Sequence, residues 1–337
     1  MTLAYLLAGV VMIALTAYAL LGGADFGGGV WDLLAFGPRK DRQRELIAHA
    51  IGPVWEANHV WLILVVVLLF TCFPVVFGTL AVSLHVPLTL ALVGIVLRGS
   101  AFSFRAYGDS RAAGVRRWGR VFSVASLVTP LILGTAVGAV SRGLLWDPSG
   151  SFRQNYVNPW LNLYCLAVGA LALAAFAFLA AAFLTVEAKD DDLRGDFGLR
   201  AQWAGIAVGV AALLVLFLAG FSAPDMQAGL LHSPWSVPLQ LATLAAATAA
   251  LVALRTHRWR VARVAAAAEV TLLLWGWALG QFPYLIPPHL SIEATAAPRT
   301  TLEGVTIALV IGGAVLIPSL IYLFRVFKSA NRTIESP

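Results

Sequence analysis

Asp25, Glu56, Asn58, His59, Arg98 and Glu269 stand within or at the ends of long apolar runs. Charges among membrane-depth apolar residues are costly, and they are usually paired, border water or belong to proton relays. Asp25 lies in Gly22-Gly23-Ala24-Asp25-Phe26-Gly27-Gly28-Gly29-Val30-Trp31-Asp32. Glu56, Asn58 and His59 occur within four residues of Ala50-Ile51-Gly52-Pro53-Val54-Trp55-Glu56-Ala57-Asn58-His59-Val60-Trp61-Leu62-Ile63. Arg98 lies in Gly94-Ile95-Val96-Leu97-Arg98-Gly99-Ser100-Ala101-Phe102-Ser103-Phe104-Arg105. One arginine beside two carboxylates gives an ion pair plus a spare acid, the arrangement of a proton entry. The same residues also suit a structural salt bridge with a snorkelling arginine. Trp55 and Trp61 fit an interfacial aromatic belt, which leaves the Glu, Asn and His unexplained.

The elements that must position these residues follow from composition. The chain has 337 residues, of which 60% are hydrophobic and 12% charged. Soluble domains carry about 25% charged residues, and one globular core cannot hide this much apolar surface. A soluble enzyme, a secreted disulfide scaffold and a disordered tail are excluded, leaving an all-α polytopic membrane protein. At about 20 residues per span, nine spans are expected in one transmembrane domain over residues 1–337: 3–22, 59–78, 80–98, 119–140, 161–185, 201–221, 237–255, 261–281 and 304–326. The second and third spans are expected to form a hairpin turning near Phe77-Gly78-Thr79. Of 23 Lys and Arg, 20 fall in the odd connections and the C-terminus. The positive-inside rule then puts the N-terminus outside and the C-terminus in the cytoplasm. The net charge of +6 is accordingly a topology device, not a nucleic-acid surface.

Other signals are weaker. The glycine run around Asp25 lacks the Lys-Ser/Thr ending of a phosphate loop and follows no strand; it reads as the end of the first helix, with Asp25 at the cytoplasmic edge of the span. Pro53 suits the first turn of the second helix. Glycine pairs Gly23/Gly27, Gly134/Gly138, Gly205/Gly209 and Gly276/Gly280 suit close helix packing in lipid. Glu269 falls well inside the eighth span. Beyond it, Trp275-Gly276-Trp277-Ala278-Leu279-Gly280-Gln281-Phe282-Pro283-Tyr284-Leu285-Ile286-Pro287-Pro288 suggests a rigid cap at the outer interface. Cys72 and Cys165 read as small buried hydrophobes. Of the six histidines, only His85 is expected deep in a span, and no facing pair suits axial haem ligation.

The quoted runs around Asp25, Glu56 and Arg98, with Gly276-Trp277-Ala278-Leu279-Gly280-Gln281-Phe282-Pro283-Tyr284, resemble subunit II of cytochrome bd-type quinol oxidases, from residue 1 to about residue 326. The resemblance implies two four-helix bundles plus a peripheral ninth helix in a bacterial or archaeal plasma membrane. It implies a homologous subunit I that carries haems, b-type with or without d-type, and the quinol site. It leaves room for a small accessory subunit and a structural quinone. The complex oxidises quinol, reduces oxygen to water and takes protons from the cytoplasm; this chain alone binds no cofactor and is inactive. Asp25 falls on an acid implicated in proton delivery and haem-site support, Arg98 on its partner arginine, and Trp61 on a tryptophan beside an oxygen channel. Glu56 stands where some members have Asp in the proton path, a change that lengthens the side chain. Two other readings stay open. A secondary transporter would show repeats and broken helices around a midplane site, and a scaffold subunit would pair every acid.

Overall fold

In lipid, a backbone must satisfy its own N–H and C=O groups, so long apolar runs become helices. The computed structural model describes residues 2–51, 55–107, 112–143 and 149–333. Its helices are α1 (Thr2–Leu33), α2 (Lys40–Ile51), α3 (Trp55–Cys72), α4 (Pro74–Ser83), α5 (His85–Tyr107), α6 (Ala112–Arg142), α7 (Phe152–Tyr156), α8 (Leu163–Glu187), α9 (Asp191–Ser222), α10 (Pro224–His232), α11 (Ser236–Arg255), α12 (Trp259–Gly280) and α13 (Arg299–Thr333). Strands β1 (Tyr284–Ile286) and β2 (Leu290–Ser291) pair antiparallel between α12 and α13. Among the described residues, eight helices are long and apolar enough to cross a membrane. A ninth span results if α3 and α4, bent by 118°, count as one.

The first bundle consists of α1, α3, α5 and α6, with α1 against α3 and α6, and α5 against α6. The second consists of α8, α9, α11 and α12. The two meet where α1 and α6 pack on α8, and α13 lies outside, touching α1 and α3. Close approach of α1 to α8 depends on glycine. A Cβ on Gly27 would lie 1.9 Å from the Phe176 carbonyl oxygen, and one on Gly23 would lie 2.6 Å from the Phe176 ring. Gly134 and Gly138 likewise face Gly169 and Cys165 of α8. Gly209, by contrast, has no neighbour within 4 Å of where a Cβ would be.

Three expectations are corrected. The glycine run does not end the first helix: α1 continues to Leu33, so Asp25 lies within a helix and is buried. Packing against α8 stabilises the glycines there and offsets their poor helix propensity. The chain does not turn at Phe77–Thr79, which lies inside α4. It breaks at Phe73, because Pro74 has no N–H to continue the ladder and starts a new helix instead. The carbonyl of Cys72 accepts instead from the Ala297 amide at 2.8 Å. The second break, at Leu84, moves the next helix start to 85. His85 is therefore not deep in a span; it is exposed, with Nδ1 2.9 Å from the Val82 carbonyl oxygen and its ring against Tyr156.

The proline-rich stretch forms the small β1–β2 hairpin. Pro53 lies outside the described residues. Cys72 and Cys165 are free and buried.

Candidate functional site

The site is built where α1, α3 and α5 meet. Asp25 of α1, Asn58 of α3 and Arg98 of α5 are all buried, Arg98 to 1% exposure. The spacing of apolar residues cannot alone turn these groups inward. Phe26 and Phe176 stack across the α1–α8 contact, and α6 brings Phe122 to the same place. The Asn58 amide Nδ2 donates to Asp25 Oδ2 at 2.5 Å, a charge-assisted bond between two helices. The Arg98 guanidinium carbon lies 5.0 Å from the Phe26 ring centroid and 5.3 Å from that of Phe122. Aromatic faces attract a desolvated cation by about 2 kcal/mol or more, which helps hold the arginine there.

Arg98 does not close a salt bridge with Asp25. The two act on each other electrostatically, but Nε and Nη2 of Arg98 are buried with no hydrogen-bond partner among the described residues. Tyr18 Oη and His59 Nδ1 are buried in the same condition. The His59 ring packs 6.0 Å from Tyr18 and edge-on to Phe26 at 6.3 Å. Buried polar groups are seldom left without partners unless the site has a task or meets another molecule. The cluster thus combines an acid with one oxygen engaged, a nearby fixed positive charge and further donors and acceptors. That set can hold and hand on a proton.

The expected residues are distributed as follows. Asp25, Asn58, His59 and Arg98 come together, though the expected Asp25–Arg98 ion pair is a charge interaction across a gap. Trp61 is half-buried and packs on the Tyr18, Phe26 and Phe176 cluster with Leu62 and Ile95. Glu56 lies in the first turn of α3; its side chain is outside the described residues. Glu269 is buried on the face of α12 that carries Ala262, Ala265, Ala266 and Val270, and it belongs to no contact of the Asp25 cluster. Trp275 and Trp277, from the sequence run beyond it, bond to Thr16 of α1 at 3.1 Å and Ser141 of α6 at 2.8 Å. They tie the second bundle to the first.

Sequence reasoning missed Tyr18, which no motif marks, and another buried carboxylate, Asp32. Asp32 Oδ1 accepts from Arg105 Nη1 at 2.9 Å, and Oδ2 accepts from Ser123 Oγ at 2.8 Å. A signal existed: Asp25/Asp32 and Arg98/Arg105 each recur at seven residues, two helical turns on one face. A third cluster joins α2 to α9, where Asp196 accepts from Arg39 Nε at 2.9 Å and Gln43 Nε2 at 2.8 Å. Beside it, Arg200 lies over the rings of Trp31, Phe36 and Phe197. Among the described residues, no group of three or more His, Cys, Asp and Glu is arranged to hold a metal ion.

Comparison with known proteins bears on this arrangement. The profile of the family described as cytochrome bd terminal oxidase subunit II matches residues 3–327. The cytochrome bd ubiquinol oxidase subunit 2 of Bacillus subtilis (strain 168) is 28% identical over 215 residues, 63% of this chain and 61% of that protein. The cytochrome bd-I ubiquinol oxidase subunit 2 of Escherichia coli (strain K12) is 27% identical over 220 residues, 64% of this chain and 55% of that protein. The matched part thus spans about six tenths of these relatives. A chain in the structure of bd oxidase from Geobacillus thermodenitrificans superposes with a TM-score of 0.80 at 22% identity, covering 97% of this chain and 99% of that one. That likeness establishes the fold, and the profile match over nearly the whole sequence establishes the family: this chain belongs to the cytochrome bd terminal oxidase subunit II family.

Proposed function

We propose that this chain is the non-haem subunit of a membrane quinol:oxygen oxidoreductase, and that it supports a haem-bearing subunit I and carries protons from the cytoplasm toward it. The chain sits in a bacterial or archaeal plasma membrane with its N-terminus outside, as the distribution of basic residues suggests. The haems, b-type with or without d-type, and the quinol site belong to subunit I. The assembly leaves room for a structural quinone and a small accessory subunit, and the isolated chain is inactive.

The observation that carries this reading is Asp25. It is buried, one oxygen is engaged by Asn58, and Arg98 stands nearby without closing on it. Asn58 orients the carboxylate and leaves Oδ1 to accept and release a proton. Arg98 supplies a constant positive field at the acid without blocking that oxygen. Glu56, in the first turn of α3, delivers protons from the cytoplasmic side. Trp61 borders the cluster and lines a route for oxygen. Glu269, buried in α12, lies off this route.

The decisive experiment is Asp25→Asn in the assembled complex, which keeps shape and removes the titrating group. Oxygen uptake is expected to fall about 100-fold or more, the usual weight of a positioned acid–base group, while haem spectra persist. Wild-type turnover in this variant would overturn the relay. Glu56→Gln then separates relay from scaffold: slowed proton uptake supports the relay, whereas unchanged uptake reduces Glu56 to a structural residue. Co-purification tests the transporter alternative, which requires a haem-free homo-oligomer.

A further inference from the structure

Some arginines at one end of the molecule are paired with acids and others are open. Around α2, the end of α5 and the start of α9, acids answer them: Arg39 pairs with Asp196, Arg42 with Asp190, Arg105 with Asp32 and Arg194 with Asp191. The turn between α11 and α12 is different. Arg255, Arg258 and Arg260 are exposed, and none of them makes an ion pair with a described residue. Arg263 reaches only Glu187, at 3.8 Å. That contact, and the Trp259 ring 2.8 Å from where a Gly198 Cβ would be, put this turn at the same end as the paired group. The chain therefore neutralises its own charge at one part of this surface and leaves it open at another.

Next to the open charges lies a groove of about 580 Å³ between α11 and α12. Ala245, Ala246 and Ala249 wall it from α11, Ala265 and Ala268 from α12, with Arg260 at its mouth. From Arg260 to Ala268 it runs about 12 Å along the helix. Val261 and Val264 stand exposed at its rim, facing the hydrocarbon that a membrane-spanning helix pair meets. Alanines on both walls keep it shallow and apolar away from Arg260. Arginine forks match phosphate oxygens in pairs, and Trp259 beside them suits the headgroup level.

We propose that this groove seats one acyl chain of an anionic phospholipid whose phosphate is held by Arg258 and Arg260, with Arg255 adding to the field. Charge complementarity selects this occupant: a quinone tail or a neutral lipid would fill the groove and leave the arginines unanswered.

The test uses the assembled oxidase complex, delipidated in a neutral detergent and titrated with dioleoylphosphatidylglycerol or dioleoylphosphatidylcholine. Native mass spectrometry counts the bound lipid. Phosphatidylglycerol is expected to occupy one tight site that phosphatidylcholine does not. Arg258→Gln/Arg260→Gln should weaken its retention roughly 30-fold, the effect of two membrane-surface charges. Ala249→Leu/Ala268→Leu, which fills the groove and keeps every charge, should weaken it as well. Equal binding of the two lipids to the wild-type complex overturns the proposal, and that comparison decides even if a variant fails to assemble. Wild-type retention in the groove-filled variant also overturns it, because the arginines would then attract the lipid without an acyl seat. So does a neutral quinone that phosphatidylglycerol cannot displace. Haem spectra of each variant confirm that the complex is intact.

Discussion

Two aspartate–arginine pairs lie between α1 and α5, and only one has closed. Asp25 and Arg98 are separated by 73 residues, as are Asp32 and Arg105, so the second pair repeats the first two turns further along both helices, about 10 Å away. In the second pair every carboxylate oxygen is used, Oδ1 by Arg105 and Oδ2 by Ser123, and water reaches the arginine, whose side chain is 21% exposed. In the first pair the arginine is almost fully enclosed, rests on two aromatic rings and leaves two nitrogens unpartnered. Asn58, not Arg98, holds its aspartate. A closed pair fixes geometry and neutralises charge. An open pair in low dielectric keeps a strong field and a free oxygen, at a desolvation cost of several kcal/mol per ion. Such a cost is tolerated where the arrangement serves a purpose beyond holding helices together.

The largest effect should come from breaking the open pair. Arg98→Leu removes a poorly solvated charge and fills its place with apolar volume, so the complex is expected to assemble. Oxygen uptake should nevertheless fall about 100-fold or more, because Asp25 loses the field that sets its charge state. If turnover per haem stays normal and only the yield of complex drops, the open pair is as structural as the closed one.

Breaking the closed pair should do the reverse. Asp32→Ala strands Arg105 and leaves the Ser123 hydroxyl with only its second bond, to the Gly119 carbonyl. Severing a fully buried pair costs about 3–5 kcal/mol. Water reaching Arg105 reduces this to about 2 kcal/mol. Thermal unfolding of the purified complex should shift downward by that amount, with turnover per haem unchanged. A loss of turnover without a loss of stability would move Asp32 into the proton path.

Asn58→Leu sharpens the comparison from the donor side. A hydrogen bond to a charged group contributes about 1.5–3 kcal/mol. Without it Asp25 is no longer oriented, and oxygen uptake is expected to fall about tenfold, less than on removing the acid itself. Asn58→Asp, which keeps the size but adds a second acid, should not restore it.

Much of this was legible in the sequence, and the exceptions are informative. Asp25 and Arg98 stood out because charge inside an apolar run is conspicuous. The same search passed over Asp32, since an acid close to a basic connection reads as solvated. Its burial depends on Ser123 and Arg105, which arrive from 73 or more residues away. The end of the first helix was misplaced because glycine propensity is a local signal. Phe176 and Ala180 of α8, which pack on Gly23 and Gly27, are not local. The break before Pro74 was legible in principle, but Gly78 drew the turn to itself. Tyr18 had no spacing or motif to mark it. Only the folded α1–α3 contact makes its hydroxyl unusual.

The smallest effect separates the two pairs most cleanly. Ser123 Oγ has one proton to donate and shares it between Asp32 Oδ2 at 2.8 Å and the Gly119 carbonyl at 3.0 Å. Ser123→Ala therefore removes one of the two bonds that close the second pair while Arg105 stays in place. The remaining ion pair keeps the carboxylate from being stranded, so the loss should be about 1 kcal/mol, half of what Asp32→Ala produces. Measured together, the two variants form a cycle with Arg105→Gln that gives the coupling within the closed pair. Strong coupling in stability with none in oxygen uptake is the signature of a clamp. The same cycle built from Asp25, Asn58 and Arg98 should show the opposite division, with coupling in oxygen uptake and little in stability. If both cycles report the same quantity, the gap between Asp25 and Arg98 has no functional meaning.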